Sequence, residues 1–422
     1  MKKNKADIKD FLQENQYSIV EKAAAFYAYC EKLKENNHYH YKRVASTGSL
    51  PVREVKDLVT GDIKEMYYLA SNDYLNLTNH PGVIEAGVKA LYEYGAGAGS
   101  VPLLGGTLEI HEELARKIAA FKKCEDAILY TSGFGANSGS LSALLGPNDL
   151  AILDMLTHAS IIDGCSRTNK RFFAHNDMKS LETILKSTQG KYKSVLIAVD
   201  GVYSMDGDIA PLDKIYELAK KYGAYIYVDE AHASGVIGEK GRGTPSHFGL
   251  EGKIDFVAGT FSKGLGCVGG FVATSKEFAH MLNYFARNFM FSTAMTPQVA
   301  GSAIKAIEIV ENTDERRERL WRNIEFFREG LITTGFTLNN CETAIFPIIL
   351  GSDILVWEAT RMLHDLNVYV NPVTYPAVAA KKSRIRMSLM SEFTTEQLSE
   401  ILNRLEYVGT KLKIIRKQLK NV

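Results

Sequence analysis

The chain has 422 residues, 45% apolar and 23% charged, with a formal charge of +1. That composition is ordinary for a globular protein and excludes a collagen-like or disordered chain, while the balanced charge gives no signature of nucleic-acid binding. The five cysteines, Cys30, Cys124, Cys165, Cys267 and Cys341, form no CxxC pair. Their wide spacing argues against a disulfide framework or a structural metal and fits a reducing compartment. The N-terminal MKKNKADIKDFLQENQ carries lysines but no apolar core, so it does not read as a secretory signal. No apolar run reaches the ~20 residues of a bilayer span, and a cytoplasmic location is expected.

Residues 1–45 read as polar and helical until Asn36-Asn37-His38 breaks the pattern. Such an arm packs either on a partner subunit or on its own domain. The middle of the chain alternates strands and helices. Short runs at 127–130, 151–154, 195–200, 225–229 and 256–258 are apolar on both faces, as buried strands of a mostly parallel sheet are. Helical stretches such as 212–222 separate them, which predicts an α/β sandwich with right-handed crossovers. Beyond residue 313 come a long charged helix (314–334), short strands near 345–350, 368–370 and 385–387, and a closing helix from Thr395. The expected organisation is therefore a helical arm and lead-in (1–75), a large α/β domain (76–312) and a small α+β domain (313–422). The basic tail KLKIIRKQLK reads either as a solvated helical face or as a peripheral contact with anionic lipid.

Two strand ends carry the sharpest chemistry. Asp229-Glu230-Ala231-His232 follows one apolar run, and Gly259-Thr260-Phe261-Ser262-Lys263-Gly264 follows another. Open α/β sheets bind ligands outside the carboxyl ends of their strands, so Asp229 and Lys263 are expected to face one crevice. Either residue alone reads as an ordinary strand-end or surface residue. Together they suit pyridoxal phosphate, which needs an amine to attach to and an anion that keeps its ring nitrogen protonated. Thr131-Ser132-Gly133-Phe134-Gly135 opens a helix after a strand, and helix N-termini bind anions, so Ser132, Gly133 and Phe134 are expected at the phosphate. Thr260 and Ser262 add hydroxyls there. His158, just after the strand ending at Asp154, is placed to cover the ring, and Ser204 to reach the ring hydroxyl. In Ser383-Arg384-Ile385-Arg386-Met387 the two arginines alternate onto one face, where Arg386 suits a substrate carboxylate held bidentately. Without the other motifs the same segment reads as a solvated edge strand.

These residues in order resemble the α-oxoamine synthases, fold-type I pyridoxal-phosphate enzymes. The resemblance runs from about Tyr68 to Leu405 through Ser71-Asn-Asp-Tyr-Leu75, Gly106-Thr-Leu-Glu-Ile-His111, Thr157-His-Ala-Ser-Ile-Ile-Asp-Gly164, Asp229-Glu-Ala-His232, Gly259-Thr-Phe-Ser-Lys263 and Gly269-Gly-Phe271. It implies that Lys263 carries the cofactor and acts as general base, that Asp229 pairs with the ring nitrogen, that His158 stacks on the ring, and that His232 and Ser204 serve its hydroxyl. Those four side chains other than Ser204 are the implied catalytic set. It also implies that Arg386 and Asn72 hold the substrate carboxylate. Ser292 and Thr293 match a segment that reaches the phosphate of a neighbouring subunit, so a homodimer with shared sites is implied.

The implied reaction joins an amino acid to an acyl-CoA with loss of carbon dioxide. Segments 290–297, 370–373 and 376–378 look most like the bacterial serine palmitoyltransferases, which implies serine, a long-chain acyl-CoA and sphingolipid-base synthesis. Glycine C-acetyltransferase, 8-amino-7-oxononanoate synthase and cysteate acyltransferase are the alternatives within the family. An aminotransferase and an inactive scaffold are the rivals outside it. One departure stands out: family members often have Gly-Ser-Arg where this chain has Gly99-Ser100-Val101, near the acyl side.

Overall fold

The computed structural model describes residues 17–57 and 59–415. Residues 1–16 of the predicted arm and residues 416–422 of the basic tail lie outside the described residues. The chain divides into two compact units. One is continuous, Asn72–Trp321; the other joins the described residues up to Ser71 with those from Arg322 onward.

The discontinuous unit begins with the helix Ile19–Glu35. It is opened by a capping box in which Ser18 and Glu21 satisfy each other's backbone N–H, and it is closed at Asn36. None of its residues is buried, and Ile19 and Val20 are 89% and 77% exposed. Strands β1 (Val44–Ala45), β2 (Val52–Lys56) and β3 (Ile63–Tyr68) follow as an antiparallel meander.

The continuous unit is built on a seven-stranded sheet. Its strands are β4 (Asp126–Tyr130), β5 (Leu150–Asp154), β6 (Asn169–Phe173), β7 (Val195–Asp200), β8 (Tyr225–Asp229), β9 (Phe256–Thr260) and β10 (Gly270–Thr274). They lie in the order β4-β10-β9-β8-β7-β5-β6. Pairing is parallel from β9 through β6, and β10 runs antiparallel to both of its neighbours. All residues of β5, β9 and β10 are buried, which explains why their sequences lack polar alternation. On one face Ala136 and Leu141 of the helix Gly133–Leu144 and Ala279 and Leu282 of the helix Lys276–Phe285 join Ile128, Leu153, Ala198 and Val272 in one core.

After Arg322 the second unit resumes with β11 (Ile345–Ile349), β12 (Val368–Tyr369), β13 (Asn371–Val373) and β14 (Arg384–Ser388). β12 pairs in parallel with β3, and Tyr68 stacks on Tyr369 with ring centroids 4.6 Å apart. The other three form a small antiparallel sheet with β14 in the middle. The solvated edge strand that Arg384 and Arg386 suggest in isolation is thus an inner strand. Both arginines are buried, because β11 and β13 cover the two edges of β14. Among the described residues no helix is long and apolar enough to cross a membrane.

Candidate active site

The carboxyl ends of five strands of the large sheet converge on a cavity of about 290 Å³, the small end of the usual ligand-pocket range of ~300–1,000 Å³. Ser132, Gly133 and Phe134 enter it after β4, His158 after β5, Asp200 from the end of β7, Asp229 from the end of β8, and Thr260, Ser262 and Lys263 from the end of β9. Ser204 and His232 also line its walls.

Lys263 is anchored by a chain of side chains. Its Nζ lies 2.8 Å from His232 Nε2, and His232 Nδ1 lies 2.6 Å from the Tyr74 hydroxyl. Imidazole has one donor and one acceptor nitrogen when neutral. With a charged amine, Nε2 accepts and Nδ1–H donates to Tyr74; with a neutral amine the roles reverse. The pair therefore serves both protonation states of Lys263.

Asp229 is 5% exposed and fixed from two sides. Its Oδ1 accepts from the Ala231 N–H at 2.9 Å and its Oδ2 from Asn137 Nδ2 at 2.6 Å. Asn137 also donates to Ser160 Oγ at 2.9 Å and accepts from the Tyr227 hydroxyl at 3.0 Å. Those bonds set its amide orientation and with it the carboxylate plane. His158 caps the short helix Ala159–Gly164, its backbone N–H donates to Asp200 Oδ1 at 3.1 Å, and its Nδ1 lies 2.7 Å from Ser160 Oγ. Burial, reinforced by Lys263, pushes its pKa down against the pull of Asp229, which favours the neutral ring. Asp200, beside Asp229 in the strand register, is pushed well above the carboxylate range by burial and by that neighbouring charge.

The phosphate end is built from backbone. Ser132 caps the helix Gly133–Leu144 by accepting from the Gly135 N–H at 3.0 Å, and the N–H groups of Gly133 and Phe134, which line the cavity, are the first-turn donors that helix geometry leaves for an anion. Gly133 packs so closely on β9 that a Cβ there would lie 2.8 Å from Thr260 Cβ. Thr260 donates to the Gly269 carbonyl at 2.6 Å and lies 2.9 Å from Ser262 Oγ. A helix N-terminus, an amine and a fixed buried carboxylate around one cavity match the phosphate, aldehyde and ring nitrogen of pyridoxal phosphate in kind and number.

Four predicted residues are not among those that line this cavity. Ser292 is half-buried and Thr293 exposed after the helix Arg287–Met290. Asn72 accepts from the Tyr74 hydroxyl at 3.4 Å. Arg386, on β14 of the other unit, donates to Ser388 Oγ at 3.0 Å. Val101, the position without arginine, precedes the short 3-10 turn Pro102–Leu104, and the neighbouring Ser100 carbonyl accepts from the Ala294 N–H at 3.1 Å. Sequence reasoning missed Asn137, Tyr74 and Ser160. Asn137 sits one helical turn beyond Gly133, and that spacing was the only signal available.

The aminotransferase class I and II family model matches residues 64–405. An 8-amino-7-oxononanoate synthase of Thermoanaerobacter pseudethanolicus is 43% identical over 387 residues, covering 91% of this chain and 96% of that protein. Among solved structures, a serine palmitoyltransferase from S. paucimobilis with bound pyridoxal phosphate and myriocin has a TM-score of 0.89 at 33% identity, covering 94% of this chain and 100% of that one. An 8-amino-7-oxononanoate synthase from Francisella tularensis has a TM-score of 0.72 at 28% identity, covering 83% and 99%. The fold and cofactor chemistry expected from the sequence are thus those of its relatives. The chain belongs to the class I and II aminotransferase family and, within it, to the α-oxoamine synthases, pyridoxal-phosphate-dependent acyltransferases that condense an amino acid with an acyl donor and release carbon dioxide.

Proposed function

We propose that this chain acts as an 8-amino-7-oxononanoate synthase. The observation that carries the reading is the 43% identity to such an enzyme along 91% of the chain. It displaces the serine and long-chain preference expected from segments 290–297 and 370–378, since the serine palmitoyltransferase likeness is lower in sequence. The product's name fixes the substrates. Carbons 8 and 9, with the amino group, are the Cα and methyl of alanine; carbons 1–7 are a seven-carbon acyl group ending in a carboxylate. The bond between alanine Cα and the acyl carbonyl forms, the Cα–carboxylate bond breaks to release carbon dioxide, and the C–S bond breaks to release the thiol.

Pyridoxal phosphate, when bound, supplies the electron sink for the pair left at Cα. The roles of the residues around it are our proposal. Lys263 Nζ takes and returns the Cα proton, and the His232–Tyr74 pair accommodates both of its protonation states. Asp229 holds negative charge against the ring nitrogen, with Asn137 and the Ala231 N–H fixing its direction. The neutral His158 gives a flat cover that adds no competing cation. Gly133, Phe134, Thr260 and Ser262 hold the phosphate, and Ser204 and His232 the ring hydroxyl. Arg386, with Asn72, is assigned to the substrate carboxylate through the family resemblance, and Ser292 and Thr293 to a second subunit on the same ground.

A panel of alanine, serine and glycine against pimeloyl-, acetyl- and palmitoyl-CoA, scored by thiol release, tests the reading. Alanine with pimeloyl-CoA is expected to be fastest. Preference for serine with palmitoyl-CoA establishes the second reading, which the TM-score of 0.89 favours. Lys263→Ala is expected to lose turnover and the visible absorbance of the lysine-bound cofactor; normal turnover in that variant defeats the site assignment.

A further inference from the structure

Behind the cavity wall His175 stands between two carboxylates. Its Nδ1 lies 2.9 Å from Asp154 Oδ1 and its Nε2 2.7 Å from Asp208 Oδ2, and a carboxylate on each side calls for an N–H on each nitrogen. A ring whose two nitrogens both donate is an imidazolium. The Asp154 and Asp208 side chains are 0% and 7% exposed, and the Tyr203 ring meets the imidazole edge-on at 4.5 Å. Burial opposes the charge, but the bonds to Asp154 and Asp208 outweigh it and the pKa is pushed up to about 10.

Each aspartate belongs to a different turn. Asp154 Oδ1 also accepts from the Leu156 N–H at 2.8 Å, and its carbonyl accepts from the Thr157 hydroxyl at 2.6 Å, so it shapes the turn that delivers His158. The Asp208 carbonyl accepts from the Tyr203 N–H at 3.0 Å and closes the turn that contains Ser204. Asn176 adds two more links: its N–H donates to Asp154 Oδ2 and its Nδ2 to Asp208 Oδ2, each at 2.9 Å.

We propose that His175 is a positioning residue for this site, a charged clamp that ties the turn bearing His158 to the turn bearing Ser204 and so fixes the cover and the hydroxyl partner of the cofactor ring relative to each other. The proposal rests on the reading of His158 and Ser204 as cofactor contacts. Both turns lie beyond the strand ends; the second is closed on itself by the Val202–Ile209 bridge, and the His175 clamp links it to the first. A small displacement of such groups costs up to ~100-fold in function, and partners behind a ligand shell are commonly worth ~10–100-fold.

The test is titration of the apo-enzyme with pyridoxal phosphate, reading the dissociation constant and the circular dichroism induced in the bound cofactor. His175→Gln is expected to weaken binding roughly tenfold and to reduce the induced signal. His175→Arg, which keeps the charge and two donors, is expected to restore both to within about threefold. Binding within about twofold of wild type with an unchanged signal in His175→Gln overturns the proposal, as does a His175→Arg no better than His175→Gln. If His175→Gln does not fold, Asp208→Asn, which loosens one arm of the clamp, is titrated the same way; unchanged binding there is equally fatal. Lys263→Ala separates the two levels. Turnover in it sinks the site reading, whereas an inactive Lys263→Ala beside normal binding by His175→Gln sinks only the clamp.

Discussion

Lys122 and Glu230 form a fully buried charge cluster, and His175, half-buried between the buried Asp154 and Asp208, forms another. In the first, Lys122 Nζ donates to Ser234 Oγ at 2.8 Å and to the Arg242 carbonyl at 2.7 Å, but stands 3.5 Å from Glu230 Oε2. Glu230 Oε2 accepts from the Thr244 N–H at 2.9 Å, and its Oε1 has no hydrogen-bond partner among the described residues. Burial drives Lys122 down and Glu230 up, both toward their neutral forms. In the second cluster burial also disfavours charge, yet His175 is held charged. Depth differs between them, since the His175 side chain is 26% exposed and that of Lys122 1%. The bonding to the counter-ion differs as well: carboxylates reach both ends of His175 at 2.7 and 2.9 Å, whereas Lys122 spends its short bonds on neutral oxygens and stands 3.5 Å from its carboxylate.

The sharpest way to break this contrast is to leave one partner alone. Glu230→Ala strands Lys122 in a wholly buried site and is expected to cost about 3 kcal/mol, read from the urea midpoint; a loss below about 1 kcal/mol means that the lysine is already neutral. His175→Gln removes two bonds to carboxylates and is expected to cost about 2 kcal/mol by the same measurement. The pH dependence of stability gives a finer comparison. The folded value of about 10 for His175 lies above its unfolded value near 6.5, so its contribution is complete below that lower value and is lost as pH rises through the upper one. Wild type should lose about 2–4 °C more of its melting temperature between neutral pH and pH 10 than His175→Gln does. Equal losses remove the charge from the account. The smallest effect is expected from replacing both members of the other cluster. Lys122→Met with Glu230→Leu should stay within about 1 kcal/mol of wild type, because a loosely bonded buried pair adds little over apolar packing.

The strands β4, β5, β7, β8 and β9 were legible because burial on both faces leaves an apolar signature. β6 was not: its sequence NKRFF sits at the sheet edge with three of its five residues exposed, so it lacks that signature. β10 hid behind the glycines that open it, and β1–β3 behind residues that face solvent. The same logic holds in the site. Lys263, Asp229 and His232 follow strand ends, so local sequence places them. Tyr74 and Asn137 join the site through contacts 158 and 92 residues away along the chain, which no window of sequence contains. His175 is bound to carboxylates 21 and 33 residues distant, one on each side of it. Arg384 and Arg386 were readable as a pair but not as buried, since the strands that cover them come from separate segments.

The parallel pairing of β3 with β12, which sets Tyr68 on Tyr369, has a temporal side. During synthesis at ~5–20 residues per second, β3 leaves the ribosome roughly 15–60 s before its partner exists. The Asn72–Trp321 unit has all its own strands by then and is free to condense. The open edge of the early meander must stay soluble throughout that interval, which gives nascent chains halted before β12 a binding surface for chaperones that the finished protein conceals.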